Sequence, residues 1–304
     1  MRMSRRSLAI VGLILLMVVW GSTFVITKAA AQDISPLTLA ALRFLIATVT
    51  LMPVALARGD WRSLPKPLPL MALAGTALTG IAGFTIAFNY ALVYGSASQG
   101  ALIYALLPAA VAIAAVLFLK ESLSKRRIAG IVLSIVGVGL VAIGGEPHPG
   151  SPQPLLGAMW MVGAVLLWAG YTVFAKRLAD ADQVVTTTLI SLLGTLMIAP
   201  LAFVELSGTP WRAPSLQAWA GVIFLGVVAS ALAYIVYGRA LRELDASLVG
   251  AYINLDTIVG VLCAVLFLDE TLHTGQMVGG AVAVAGMWLA STEPSAASIP
   301  ARQQ

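Results

Sequence analysis

Long apolar runs alternate with short polar, mostly basic connections along nearly the whole chain. The runs cover approximately residues 8–30, 36–57, 68–94, 97–119, 127–145, 155–175, 184–204, 216–238, 246–268 and 272–291. Crossing the hydrocarbon layer takes a helix of about 20 mostly apolar residues, so the pattern predicts an all-α polytopic membrane protein of about ten transmembrane helices. Only Tyr94, Gly95 and Ser96 part the third run from the fourth, which predicts a two-residue turn or a kinked hairpin. The Pro- and Gly-rich stretch 144–154 is the natural join between two halves, 1–147 and 148–304.

Composition narrows the class. Of 304 residues, 60% are hydrophobic and 10% are charged, against roughly a quarter charged in an ordinary soluble domain. One cysteine, Cys263, and two histidines, His148 and His273, allow neither a disulfide framework nor a His/Cys metal cluster. No cofactor or metal site is expected. The net charge of +5 does not point to nucleic acid, because the basic residues sit between apolar runs, where they set topology. With the amino terminus inside, fifteen lysines and arginines fall on the inner side, Lys28 and Arg212 on the outer side, and Arg43 within a helix. That bias places both termini in the cytoplasm of a bacterial-type inner membrane. The first run also has the look of a signal peptide, with Arg2, Arg5 and Arg6 before it and Ala29, Ala30 and Ala31 at its end. Cleavage would, however, delete half of an internal match.

That match is a duplication. Residues 115–122 (AVLFLKES) recur at 264–271 (AVLFLDET), six identities in eight at an offset of 149. Gly130 and Gly137 correspond to Gly279 and Gly286, and Trp20 and Lys28 correspond to Trp168 and Lys176 at an offset of 148. Five helices per copy mean that the second copy enters the membrane the other way up. Inverted repeats give two similar gates on opposite sides of one central site, the architecture of alternating access.

The residues Trp20-Gly21-Ser22-Thr23-Phe24-Val25, then Lys28, Pro36 and Arg43-Phe44, resemble the opening of EamA-type members of the drug/metabolite transporter superfamily. Ala91-Leu92, Ala97-Ser98, Pro108, Glu121-Ser122-Leu123, Gly130 and Gly137 continue the resemblance. It implies ten helices, cytoplasmic termini and a central cavity lined mainly by helices 1, 3, 4, 6, 8 and 9. The overall pattern is similar to amino-acid exporters of the YddG type. One departure is that Asp256-Thr257 stands where the second repeat of the family usually has the counterpart of Pro108. A helix break expected there is lost, and a charge is added.

Polar and aromatic residues on the implied wall helices are the candidate substrate contacts: Trp20, Thr23, Asn89, Tyr90, Tyr104, Trp168, Tyr171, Ser230, Tyr234, Tyr237, Tyr252, Asn254 and Asp256. Spacings of three and four, as in Ser230, Tyr234 and Tyr237, put side chains on one stripe. Asp256 lies near the middle of the ninth run, where an aspartate costs about 2.5–3.5 kcal/mol to insert. It reads as a substrate-amine or proton site, or else as a protonated packing residue. Arg43 is expected to play a structural part, since helix 2 lies outside the implied wall, and Lys28 and Lys176 to snorkel. The small residues Gly130, Ser134, Gly137, Gly279, Ala283 and Gly286 suit close contact between helices 5 and 10 or with another subunit.

The reading is a carrier for small amphipathic metabolites, chiefly apolar or aromatic amino acids. Its partners are the bilayer and a small-molecule substrate, and the sequence leaves monomer and homodimer open. A nucleotide-sugar or other solute carrier of the same superfamily is the alternative, although phosphate-bearing cargo calls for a concentrated cationic pocket. A membrane sensor or assembly protein is a further one. A hydrolase would need a nucleophile with a base, or two carboxylates, at membrane depth, and Asp256 has no acidic companion there. Topology is testable: in a Cys263→Ser background, cysteines at Gly150 and Thr209 should react with an impermeant thiol reagent from outside, and one at Arg62 should not. The reverse pattern would overturn the orientation.

Overall fold

The computed structural model describes residues 5–66, 69–119, 124–147, 150–178, 180–208, 213–243 and 246–291. Lys120, the Glu121-Ser122-Leu123 motif, His148, Thr209 and Arg212 lie outside them, as do the side chains of Lys176 and Asn254. The described residues form ten helical passes. These are α1 (Arg5–Ala30), α2 (Pro36–Arg58), α3 (Leu70–Tyr94), α4 (Ala97–Phe118), α5 (Lys125–Ile143), α6 (Pro154–Ala175), α7 (Gln183–Gly208), α8 (Leu216–Ala240), α9 (Ala246–Leu268) and α10 (Thr274–Ser291). The first eight are long and apolar enough to span a bilayer, and α9 and α10 contribute the shorter apolar helices Leu255–Leu268 and Thr274–Ala290. Successive passes alternate in direction, so odd-numbered helices finish at the far end of the bundle, opposite the amino terminus.

Packing follows the duplication. α1 lies along α9 and α8 as α6 lies along α4 and α3, whereas α2 meets α7 and α5 meets α10 directly. The α5–α10 seam shows why the small residues recur. Lipid tails are as apolar as leucine, so helices gain by approaching closely enough for backbone contact. A methyl group on Gly130 would stand 2.5 Å from the Ala290 nitrogen, and one on Gly279 would stand 2.7 Å from the Val141 nitrogen. Gly137 and Gly286 face the backbone of Ala283 and Ser134 in the same way, and Ser134 Oγ donates to the Ala283 carbonyl at 3.4 Å. The stripe is therefore consumed within the chain, while Ile135 and Val136 on α5 and Met277 and Val278 on α10 remain exposed, as lipid-facing residues should.

Three passes depart from regular α-helix. Before Pro108, which has no N–H to give to the Tyr104 carbonyl, α4 tightens: Ala105 N bonds to Leu102 O and Leu106 N to Ile103 O, with a break between Tyr104 and Leu107. α9, which has Asp256-Thr257 at the matching place, runs through unbroken. α3 and α8 each widen into a π-helical segment, Ala77–Gly83 and Phe224–Leu232. The two segments occupy equivalent places, since Leu70, Gly75 and Gly80 match Leu216, Gly221 and Gly226 at an offset of 146. The Gly95-Ser96 turn joins α3 to α4, with Gly95 N bonded to Ala91 O at 2.8 Å and Ser96 Oγ accepting from Gln99 N at 3.1 Å.

The seam is testable with a matched pair. Gly137→Leu should lower the thermal midpoint of detergent-purified protein by several degrees, since overpacking costs about 1–3 kcal/mol. Gly139→Leu, two residues on and open to its surroundings, should leave it nearly unchanged.

Candidate substrate cavity

Midway through the bundle, α1, α2, α3, α4, α6, α8 and α9 enclose a cavity of about 20 Å³, lined by Trp20, Thr23, Phe24, Arg43, Phe84, Phe88, Tyr104, Trp168, Tyr234 and Asp256. This volume admits about one water and nothing much larger. The walls are chiefly aromatic and hold one another in edge-on and tilted contacts, the arrangements that ring quadrupoles favour. Trp20 and Trp168, equivalent positions in the two repeats, meet at 5.7 Å, and Phe84 sits 4.8 Å from Trp168. Phe24 bridges Phe88 at 5.0 Å and Tyr104 at 5.7 Å.

The π segments help to set these rings. A π turn shifts the hydrogen-bond ladder, and a side chain from a neighbouring helix reaches a carbonyl in each. Trp20 Nε1 donates to Ala229 O at 3.1 Å, and Tyr234 Oη donates to Gly80 O at 3.4 Å. Gly80 has a second task, because any Cβ there would enter the Tyr171 ring. Tyr171 in turn packs 4.7 Å from Trp168 and 6.1 Å from Tyr234.

Two charged side chains reach the cavity. Asp256 is 3% exposed, and its Oδ1 is sealed from solvent with no hydrogen-bond partner among the described residues. Arg43 is 5% exposed, and its Nε donates to Ser230 Oγ at 2.8 Å. The expectation that α2 lies outside the wall is corrected here. Ser230 on the widened turn of α8 draws the arginine inward, and Gly226 gives α2 room by admitting Ile46.

Charges at the far end are matched, in contrast. The Glu270 carboxylate accepts from Ala97 N and Ser98 N, each at 2.8 Å, and from Ser98 Oγ at 2.6 Å, capping the start of α4 from the end of α9. Lys28 Nζ donates to the carbonyls of Leu92 at 2.9 Å, Gly95 at 2.6 Å and Gly150 at 2.5 Å. It is a cap for the end of α3 and not the snorkelling residue expected. Glu205, at the end of α7, accepts from Thr38 N at 2.9 Å and from Ser35 Oγ at 2.5 Å, at the start of α2. An anion at a helix start and a cation at a helix end both complement the helix dipole, so these three residues tie helix ends together at the far end.

The EamA-like transporter family matches residues 7–143 and again residues 155–292. The chain belongs to that family. A transporter of Archaeoglobus fulgidus is 28% identical over 291 residues, 92% of this chain and 96% of its own length. A protein of Streptantibioticus cattleyicolor named a probable terminal-alkyne amino-acid exporter is 27% identical, over 93% of each chain. A probable amino-acid metabolite efflux pump of Salmonella typhimurium is 30% identical, over 91% of this chain and 92% of its own length. The fold is shared with a crystal structure at TM-score 0.65 and 19% identity, covering 94% of this chain and 97% of that one.

The structure of this EamA-family transporter sorts the candidate residues. Trp20, Thr23, Tyr104, Trp168, Tyr234 and Asp256 line the cavity. Tyr171, Ser230 and Tyr237 stand directly behind it, Tyr237 at 5.3 Å from Trp20. Three others lie elsewhere. Asn89 Nδ2 donates to the Pro36 carbonyl at 2.8 Å and ties α3 to the start of α2. Tyr90 stacks between Tyr94 and Trp160. Tyr252 packs in a separate cluster with Leu13, Met17, Ala233 and Tyr237. Helical phase explains Tyr90: it follows Phe84 and Phe88 by six and two residues, which turns it away from the face they share. The lining residues missed by sequence reasoning are Phe24, Arg43, Phe84 and Phe88. The phenylalanines carry no polar signal, but the spacing of four between Phe84 and Phe88 puts both on one stripe.

The far-end latch gives a prediction. Hydrogen bonds to a charged group contribute about 1.5–3 kcal/mol each. In a Cys263→Ser background, a cysteine at Phe88 should therefore react with an impermeant thiol reagent from the far side about tenfold faster or more once Glu270→Gln is added. An unchanged rate would mean that Glu270 does not hold the far end closed.

Proposed function

We propose that this transporter exports apolar or aromatic amino acids across the cytoplasmic membrane by alternating access, loading and releasing cargo at the central cavity. The observation that carries the reading is the buried Asp256 carboxylate, whose Oδ1 has no hydrogen-bond partner among the described residues, set among aromatic rings. Rings accept an apolar side chain, and a buried carboxylate that lacks a partner suits an ammonium or a proton. Two relatives bear names of amino-acid exporters or efflux pumps, which supports the same cargo class. The inverted repeats supply the two gates, and the inward bias of basic residues supports cytoplasmic termini.

A nucleotide-sugar cargo fits less well, because Arg43 is the only basic residue among the described lining side chains and a phosphate-bearing ligand calls for several. Hydrolysis is disfavoured in the same terms, since among the described lining residues Asp256 is the only acid and no histidine or cysteine joins it.

Reconstituted protein should move phenylalanine or tryptophan faster than glutamate or a sugar phosphate. Trp168→Ala should slow that flux, and Asp256→Asn should fold normally while changing its rate or its dependence on pH between about 5.5 and 8. Flux of a nucleotide sugar, with none for any amino acid, would overturn the cargo assignment.

A further inference from the structure

Arg43 brings a permanent positive charge to the cavity from α2. A guanidinium keeps its proton at any pH the protein meets, and burying one is costly unless its charge and donors are answered. Among the described residues, its one hydrogen bond is the 2.8 Å contact from Nε to Ser230 Oγ. Its guanidinium carbon lies 5.4 Å from the centre of the Phe44 ring, which supports the group from one side. Asp256, the other charge lining the cavity, leaves its own Oδ1 without a hydrogen-bond partner among the described residues. The lining therefore offers one positive and one negative group, each with hydrogen-bonding capacity unused, with aromatic rings around them.

This pairing has a natural complement. A fork of guanidinium N–H donors matches a carboxylate with two parallel bonds, which a point-charge ammonium cannot do. The Ser230 bond engages the Nε–H of an arginine that lines the cavity, and the two Nη groups lie outside that bond. We propose that the Nη groups of Arg43 hold the α-carboxylate of the cargo while Asp256 takes its ammonium, so that the cavity recognises the zwitterionic backbone and the rings take the side chain. The assignment rests on the amino-acid reading above and adds the anchor which that reading lacks. A cargo bearing only one of the two charges would leave the other wall charge unanswered, and that is the source of selectivity. Ser230 is a positioning residue, fixing the arginine by its Nε.

The test is binding of three ligands to purified full-length protein in detergent, read by the fluorescence of Trp20 and Trp168 in the cavity wall. The ligands are phenylalanine, 3-phenylpropionate without the amine, and 2-phenylethylamine without the carboxylate. Wild type should bind phenylalanine about tenfold or more tighter than either analogue. Arg43→Gln should weaken phenylalanine and 3-phenylpropionate about tenfold or more and leave 2-phenylethylamine within about twofold. Ser230→Ala should weaken phenylalanine by a smaller factor. Should Arg43→Gln fail to fold, Arg43→Lys keeps the charge without the fork and should still cost phenylalanine about fivefold.

Equal loss of all three ligands in the variants would overturn the assignment, because a merely structural arginine acts without regard to ligand charge. Wild-type affinity for phenylalanine in Arg43→Gln would overturn it too, while leaving the amino-acid reading intact. Arg43-dependent binding of 3-phenylpropionate, with no binding of phenylalanine, would sink the amino-acid reading and keep the carboxylate anchor. Wild type that binds none of the three would overturn both.

Discussion

Inside the hydrocarbon layer, every peptide group must find its partner within the protein, and the breaks in the helices are where this constraint builds the cavity. Regular α-helix satisfies the rule by itself and leaves nothing for a site to use. The π segments of α3 and α8 are different, because each lends a carbonyl to an aromatic donor from another helix: Gly80 O to Tyr234 and Ala229 O to Trp20. The break before Pro108 similarly ends one helical stretch at Tyr104, a lining residue. Ring positions are thus tied to backbone irregularities, and those in turn to glycine and proline in the chain.

The charges divide into two groups by how well they are met. Lys28, Glu205 and Glu270 lie at helix ends, where free carbonyls and N–H groups answer them fully. They tie helix ends together at the far end. Asp256 and Arg43 lie at mid-bundle, and they are met only in part. Full satisfaction suits a latch, whereas partial satisfaction at membrane depth suits a group reserved for cargo or for a proton.

Duplication explains the frame but not the site. The Trp20–Trp168 contact and the α5–α10 seam join equivalent positions of the two repeats, so they keep the symmetry. The charged groups break it. Asp256 stands where the first repeat has Leu107, at the offset of 149, and Arg43 stands where the second has Ser191, at the offset of 148. A cargo with unlike ends fits such an asymmetric centre better than a symmetric one would.

The hydrophobic pattern alone determined that the chain spans a membrane about ten times in two repeats, because helix length and apolarity are local properties set by bilayer thickness. The same pattern marked Asp256, since a charge in an apolar run is conspicuous in one dimension, and the paired tryptophans, since they recur in register. Tertiary structure decided which faces meet. It turned Tyr90 and Asn89 away from the cavity, brought Phe24, Phe84 and Phe88 into it, and carried Arg43 inward from a helix expected to lie outside the wall. Those outcomes depend on helix rotation and on the distance at which two backbones can pass. In lipid, both are fixed by small residues and widened turns on neighbouring helices. A serine 187 positions further along the chain, Ser230, holds the Arg43 Nε, and no local pattern around residue 43 carries that information.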